Sequence, residues 1–249
     1  MPRLALIAAA AVAAAMSFSP ALAQQTENGH AHDVTDIWDI ARGGQLYDKW
    51  WAVIEGDAPE ATHPAYPAEG KKSGSTTWRC KECHGWDYRG KDGAYASGSH
   101  FTGIPGIRGV DGIDVNTLHD IIMNETHGFT EAQMPHSAME KIALFLSRGQ
   151  LDTERYIDRE TKMARGNPRR GAALFQTICA VCHGFDGKEI NFHDADDPEF
   201  VGTVAVNNPW EALHKIRFGQ PGVGMIALGA LDIDTLVDIV AYTQQLPTK

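Results

Sequence analysis

The feature that most constrains this chain is a five-residue pattern that occurs twice. Cys80-Lys81-Glu82-Cys83-His84 and Cys179-Ala180-Val181-Cys182-His183 hold all four cysteines of the 249 residues, each pair spaced C-x-x-C and followed at once by histidine. Two thiols separated by two residues on a helical turn match the spacing of the two vinyl groups of a haem, and the next residue, His, is placed to ligate the iron from one face. Three other chemistries use C-x-x-C pairs. A thioredoxin-like redox pair needs a βαβ setting, which surrounds neither copy. A single structural zinc held by both pairs does not require His after each, and two disulfides explain neither histidine. The pattern predicts two covalently attached haem c groups, one on Cys80, Cys83 and His84, the other on Cys179, Cys182 and His183. No cysteine is then left for a disulfide, a nucleophile or an iron ligand.

Around these two sites the chain repeats itself. Gly43-Gly44-Gln45-Leu46-Tyr47, preceded by Arg42, corresponds to Gly171-Ala172-Ala173-Leu174-Phe175, preceded by Arg170. Downstream, Pro105 and Gly109 match Pro198 and Gly202, and Leu118-His119 matches Leu213-His214. Each copy closes on a helical run that is apolar along one face, so the ordered matches predict a tandem duplication in an all-α chain. Cys179 follows Leu174 by five positions, whereas the equivalent of Cys179 in the first copy is Trp51 and Cys80 arrives 29 residues late. The first copy therefore carries an insertion at about 52–78. The Trp50, Trp51 and Trp78 that flank it predict a surface loop packed by its own aromatic anchors. The expected domains are 34–149 and 168–249, joined by a charged, partly helical linker over 150–167.

The first 23 residues read as a secretory signal peptide. Arg3 gives a positive start, an Ala-rich apolar run extends from Leu4 to Phe18, and Ala21-Leu22-Ala23 is an A-x-A cleavage site. This predicts export to the periplasm, and no later stretch is apolar enough to span a bilayer. A hydrophobic content of 43% with 22% charged residues excludes a disordered or fibrous chain. The formal net charge is −10, and loss of Arg3 with the leader deepens it. That sign argues against nucleic-acid binding and favours partners with a basic docking patch.

The paired C-x-x-C-H motifs, with a P-x-x-x-G after each, resemble a di-haem cytochrome c of two tandem class I cytochrome c domains, in an arrangement similar to the cytochrome c4 type. The resemblance covers nearly all of the chain after the leader, apart from the N-terminal tail and the insertion. It implies that the carbonyl of Pro105 serves His84 and that of Pro198 serves His183. It also implies a distal iron ligand from the loop before each closing helix. In the second domain that residue is Met225, at the end of the glycine-rich loop from Gly219. In the first, Met134 is followed by Pro135, as in the family's Met-Pro pattern, with His127, Met139 or an open position as alternatives. Ser137 and Glu140 form an S-x-x-E capping box, which predicts that the closing helix begins near Ala138. His119 and His214 recur at equivalent helix positions and read as structural. The function implied is electron transfer between respiratory or dehydrogenase redox proteins, with no catalytic residue. The alternatives are a di-haem enzyme of the peroxidase or thiosulfate-dehydrogenase type, or an electron-transfer subunit of a larger complex.

Overall fold

Two helix crossings organise the chain, and both are set by glycine. In this computed structural model, which describes residues 30–249, α1 (His30–Val53) is broken at Lys49, whose φ of −154° and ψ of 78° are not helical. The expected signal peptide at 1–23 lies outside the described residues. Helix α1 crosses α4 (His136–Leu144) at Gly43, where an added Cβ would overlap the Lys141 carbonyl and stand 2.7 Å from the Phe145 Cβ. Helix α5 (Pro168–Leu174) crosses α9 (Ile233–Thr243) at Gly171, where a Cβ would overlap the Asp238 carbonyl. Backbone contact this close needs a residue without a side chain. Lys141 and Asp238 occupy corresponding positions, each four residues before the aromatic pair Phe145 and Tyr242.

The remaining elements hang on these crossings. Helix α2 (Cys80–His84) and α3 (Val115–Met123) belong to the first half; α6 (Ala180–His183), α7 (Val201–Asn207) and α8 (Pro209–Phe218) belong to the second. The described residues contain two isolated β-bridges and no extended strand. Helix starts follow their caps: the side chains of Asp114, Asn167 and Asp232 accept bonds from Thr117 N, Arg169 N and Thr235 N. Helix α4 departs from expectation. It begins at His136, with Pro135 as its cap residue, and Ser137 makes no capping bond. The fixed φ of proline starts the helix two residues early, and the Pro135 carbonyl accepts from Ala138 N and Met139 N. Helix α5 runs on into a single π-helical turn, Phe175–Cys179, which delivers Cys179 to α6.

The two halves share a buried seam. Tyr47, Tyr88, Phe145 and Phe218 pack together there, and the Gln45 side chain donates to the Phe218 carbonyl at 2.8 Å. His214, on α8, spans the seam: its Nε2 donates to the Gly44 carbonyl at 2.9 Å and its Nδ1 accepts from the Tyr88 hydroxyl at 3.0 Å. Burial pushes its pKa down to about 3, so the ring is neutral, and the carbonyl partner places the proton on Nε2. Its sequence counterpart His119 instead meets His136 at the surface, at 2.9 Å. The linker is fastened rather than loose. Thr153 and Ile157 are buried, Arg89 pairs with Asp152 and Glu154 at 2.9 and 3.0 Å, and only Thr153–Arg155 makes a helical turn. No described helix is long and apolar enough to cross a membrane.

Candidate haem-attachment sites

The two C-x-x-C-H segments fold into the same turn. Helix α2 ends at Gly85 (φ 78°, ψ 163°) and α6 at Gly184 (φ 77°, ψ 160°), a conformation open to glycine and costly for other residues. Gly85 N donates to the Lys81 carbonyl and Gly184 N to that of Ala180, both at 2.9 Å. The chain then returns to the histidine: Gly90 N donates to the His84 carbonyl at 2.9 Å, and Glu189 N to that of His183 at 3.0 Å. Asp87 and Asp186 brace the turns, accepting from Arg89 N at 3.2 Å and Lys188 N at 3.1 Å. Every pair is displaced by 99 residues. The Cys80 and Cys83 thiols are pushed up to about 12 and that of Cys179 to about 11, in each case by burial first. None of these three behaves as a thiolate nucleophile near neutral pH.

Beyond the shared turn the two sites diverge. His84 Nδ1 donates to the Pro105 carbonyl at 2.9 Å, as the resemblance implied. A β-bridge between Gly90 and Pro105, with Lys91 N donating to the Ile104 carbonyl at 2.9 Å, holds that carbonyl in place. The second site does not repeat this contact, and the expectation for Pro198 is corrected. Phe192 N donates to the Glu199 carbonyl at 2.8 Å, so donor and acceptor each lie two residues beyond the counterparts of Lys91 and Ile104. His183 Nδ1 is left buried without a partner.

Their surroundings differ as well. Lys81 and Glu82, between the first two cysteines, are buried; Glu82 accepts from Lys81 Nζ at 3.0 Å and pairs with His100 Nδ1 at 2.8 Å. Lys81 and Lys215 both sit over the Trp86 ring, at 5.4 and 5.3 Å. In the second motif Val181 is 81% exposed and Phe185 76%, while the Phe192 ring stands 6.0 Å from that of His183. A thiol pair, an imidazole and flanking apolar side chains are the donor set and lining that a covalently held haem requires.

The loops that precede the closing helices hold the distal candidates. Met225 is half-buried, and the Gly219 backbone passes so close to it that a Cβ there would lie 2.7 Å from the Met225 carbonyl. Met134 and Met139 are fully buried in the helix-packing core with Leu46, Trp50 and Phe129. The ring that faces His84 is that of His127, with ring centres 6.2 Å apart and planes inclined by 40°. Burial pushes both histidines down, His84 to about 4, so both are neutral at pH 7. Sequence reasoning gave His127 the lesser place, although a signal was available. It precedes Phe145 by 18 residues, and Met225 precedes Tyr242 by 17. His63, on the insertion, donates from Nε2 to the His127 carbonyl at 2.8 Å.

Residues 166–242 match the family model described as Cytochrome C oxidase, cbb3-type, subunit III. This stretch contains Cys179, Cys182, His183 and Met225. The match makes it similar to a c-type cytochrome domain, an electron-transfer module that implies covalently bound haem c. No curated protein and no solved structure matches the chain.

Proposed function

We propose that the chain is a periplasmic di-haem c-type cytochrome, built of two tandem cytochrome c domains, that carries electrons between protein partners. One observation carries the reading: the first C-x-x-C-H turn reproduces the second in its helix end, glycine conformation and backbone bonds, 99 residues away. The matching helix crossings at Gly43 and Gly171 support two units of one kind. Cys80 with Cys83, and Cys179 with Cys182, hold a haem through thioethers; His84 and His183 are the proximal iron ligands. Haem c at each site supplies one-electron chemistry. The Pro105 carbonyl fixes the His84 ring and, by taking the Nδ1 proton, raises the basicity of Nε2. Met225 is the distal ligand in the second unit. A haem held in this way would supply outer-sphere electron transfer, with no substrate bond broken.

The test is the haem count of the protein matured in a haem-ligating host. Two haems per chain, resistant to acid–acetone extraction and seen as two haem masses on the polypeptide, are expected. Cys80→Ala with Cys83→Ala should leave one haem, and Cys179→Ala with Cys182→Ala the other. One haem in the unmodified protein overturns the di-haem reading. Turnover of peroxide, thiosulfate or sulfite on the order of 10 per second overturns the carrier reading.

A further inference from the structure

We propose that His127 and His84 ligate one haem iron from its two faces, making the first site a bis-imidazole site, and that His63 on the 52–78 insertion holds His127 in position. The inference rests on the two-haem reading above and adds to it the ligand and the part the insertion plays. The first support is distance. An imidazole nitrogen bonds a first-row metal at about 2 Å and sits about 1 Å from its ring centre, so two rings on one iron have centres about 6 Å apart. The rings of His84 and His127 are 6.2 Å apart.

The second support is the tautomer. His84 Nδ1 meets the Pro105 carbonyl at 2.9 Å; His127 Nδ1 meets the Ile121 carbonyl at 2.9 Å and Asn124 Oδ1 at 3.2 Å. A backbone carbonyl only accepts, so each ring carries its proton on Nδ1 and keeps its lone pair on Nε2. No hydrogen bond among the described residues engages either Nε2. A carbonyl behind each ring also fixes the orientation and raises the basicity of a ligating imidazole.

The third support is the frame around His127. Asn124 Oδ1 accepts from Thr126 N at 3.0 Å and His127 N at 3.1 Å, and Gly128 N donates to the Asn124 carbonyl at 2.7 Å. The insertion closes over this turn. His63 Nε2 donates to the His127 carbonyl at 2.8 Å, while its Nδ1 accepts from Ala65 N at 3.1 Å. The His63 ring lies edge-on to Trp78, 4.3 Å between centres; the Trp78 indole donates to the Ala61 carbonyl, and its own carbonyl accepts from the Trp50 indole. The insertion between the first helix and its haem motif thus bears on the distal loop. Met134, by contrast, gives its side chain to the core between α1 and α4.

The consequence is a pair of unlike haems. His–Met ligation favours ferrous iron and bis-imidazole ligation disfavours it, so the first haem is the harder to reduce and one electron added to the protein rests on the second. Haem count and near-infrared magnetic circular dichroism of the ferric holo-protein test this together. Two haems per chain, one with the imidazole–thioether band and one with the bis-imidazole band, are expected. Met134→Leu should leave both bands unchanged. His127→Ala should remove the bis-imidazole band and make half of the haem high-spin, with low spin restored by added imidazole; the unchanged thioether band reports that the rest is folded. His63→Ala should give a partial high-spin fraction that His63→Gln, which can donate to the same carbonyl, reverses. Two haems with two thioether bands, or loss of a band in Met134→Leu, overturns the inference alone. A count of one haem overturns the two-haem reading and the inference with it. Should His127→Ala fail to hold haem, the bands of the unmodified protein decide.

Discussion

Asp48 shows how a single charge ties the halves together. It is fully buried at the broken end of α1 and pairs with two cations, Arg79 beside the first haem motif and Lys215 on α8 of the second half. Burial pushes its carboxyl up, but the Lys215 ammonium and then the Arg79 guanidinium overcome this and hold it at about 2. A carboxylate depressed in the folded state contributes stability that is present above its unfolded pKa and is lost as pH falls through the folded value. The contribution of Asp48 should therefore fade between about pH 4 and about pH 2. Asp48→Asn removes the charge and leaves the half-buried Arg79 and Lys215 without it. Loss of one partner of a buried pair costs about 3–5 kcal/mol, so a loss of about 3 kcal/mol is expected at pH 7, with the variant and parent converging near pH 2. Denaturant unfolding of the holo-protein across that range is the measurement. A variant equally stable at pH 7 would mean that the two cations find other partners. The seam histidine His214 adds an acid signature of its own: burial holds its folded pKa at about 3, so stability is lost as pH falls from about 6.5 toward 3.

At the scale of elements the decisive features are the two glycine crossings. At Gly43 and Gly171 a methyl group would enter a backbone carbonyl, so the helix pair must separate to admit it. Gly43→Ala and Gly171→Ala should each cost about 1–3 kcal/mol, the usual penalty of overpacking, against a gain of under 1 kcal/mol from helix propensity. Thermal unfolding of each variant, followed in the haem absorption, is the test; unchanged transitions would mean that the helices do not cross there. Both glycines were legible in the sequence, because a position with no room for a side chain leaves a repeated residue behind. The C-x-x-C-H turns were legible for the same reason, since their chemistry fixes residue type and spacing together. Where contacts are set by distant segments the sequence was silent. Pro198 keeps its place in the repeat, yet Asn191 accepts from His193 N and Glu199 N and shifts the pairing of its segment, so that His183 receives no carbonyl. Met134-Pro135 matches a local pattern and its side chain lies in the helix core, while the insertion, folded back through His63 and Trp78, adds a distant contact to the Asn124 turn that frames His127. Ser137 had the capping-box spacing, but the proline two residues before it decided where α4 starts.

For the whole molecule, burial and charge are unequal around the two sites, and this bears on where a partner docks. The intervening residues of the first motif, Lys81 and Glu82, are buried, with Lys81 over the Trp86 ring that Lys215 of the second half also covers. The second motif shows Val181 and Phe185 to solvent, and the loop that carries Phe192 to His183 continues through the exposed Asp194, Asp196 and Asp197. An apolar patch rimmed by carboxylates suits a short-lived encounter with a basic partner, in which small contact area allows release and charge sets the approach. On the proposed reading, electrons enter and leave chiefly at the second haem, and the net charge of −10 steers the approach. Electron transfer to a basic acceptor protein should slow as salt rises, because the Debye length falls from about 10 Å at 0.1 M to about 3 Å at 1 M. The combined Asp194→Asn, Asp196→Asn and Asp197→Asn variant should be slower than the parent at low salt, less sensitive to salt, and equal to it near 1 M, where the charges are screened in both. Neutralising an equal number of carboxylates on the insertion, Asp57, Glu60 and Glu69, should change the low-salt rate less. Stopped-flow mixing of the reduced holo-protein with the acceptor, at several ionic strengths, reads all of these rates. If both triple variants lose the same rate at low salt, net charge alone steers the encounter and the second haem is not the preferred port. If the insertion variant loses more, docking belongs to the first half.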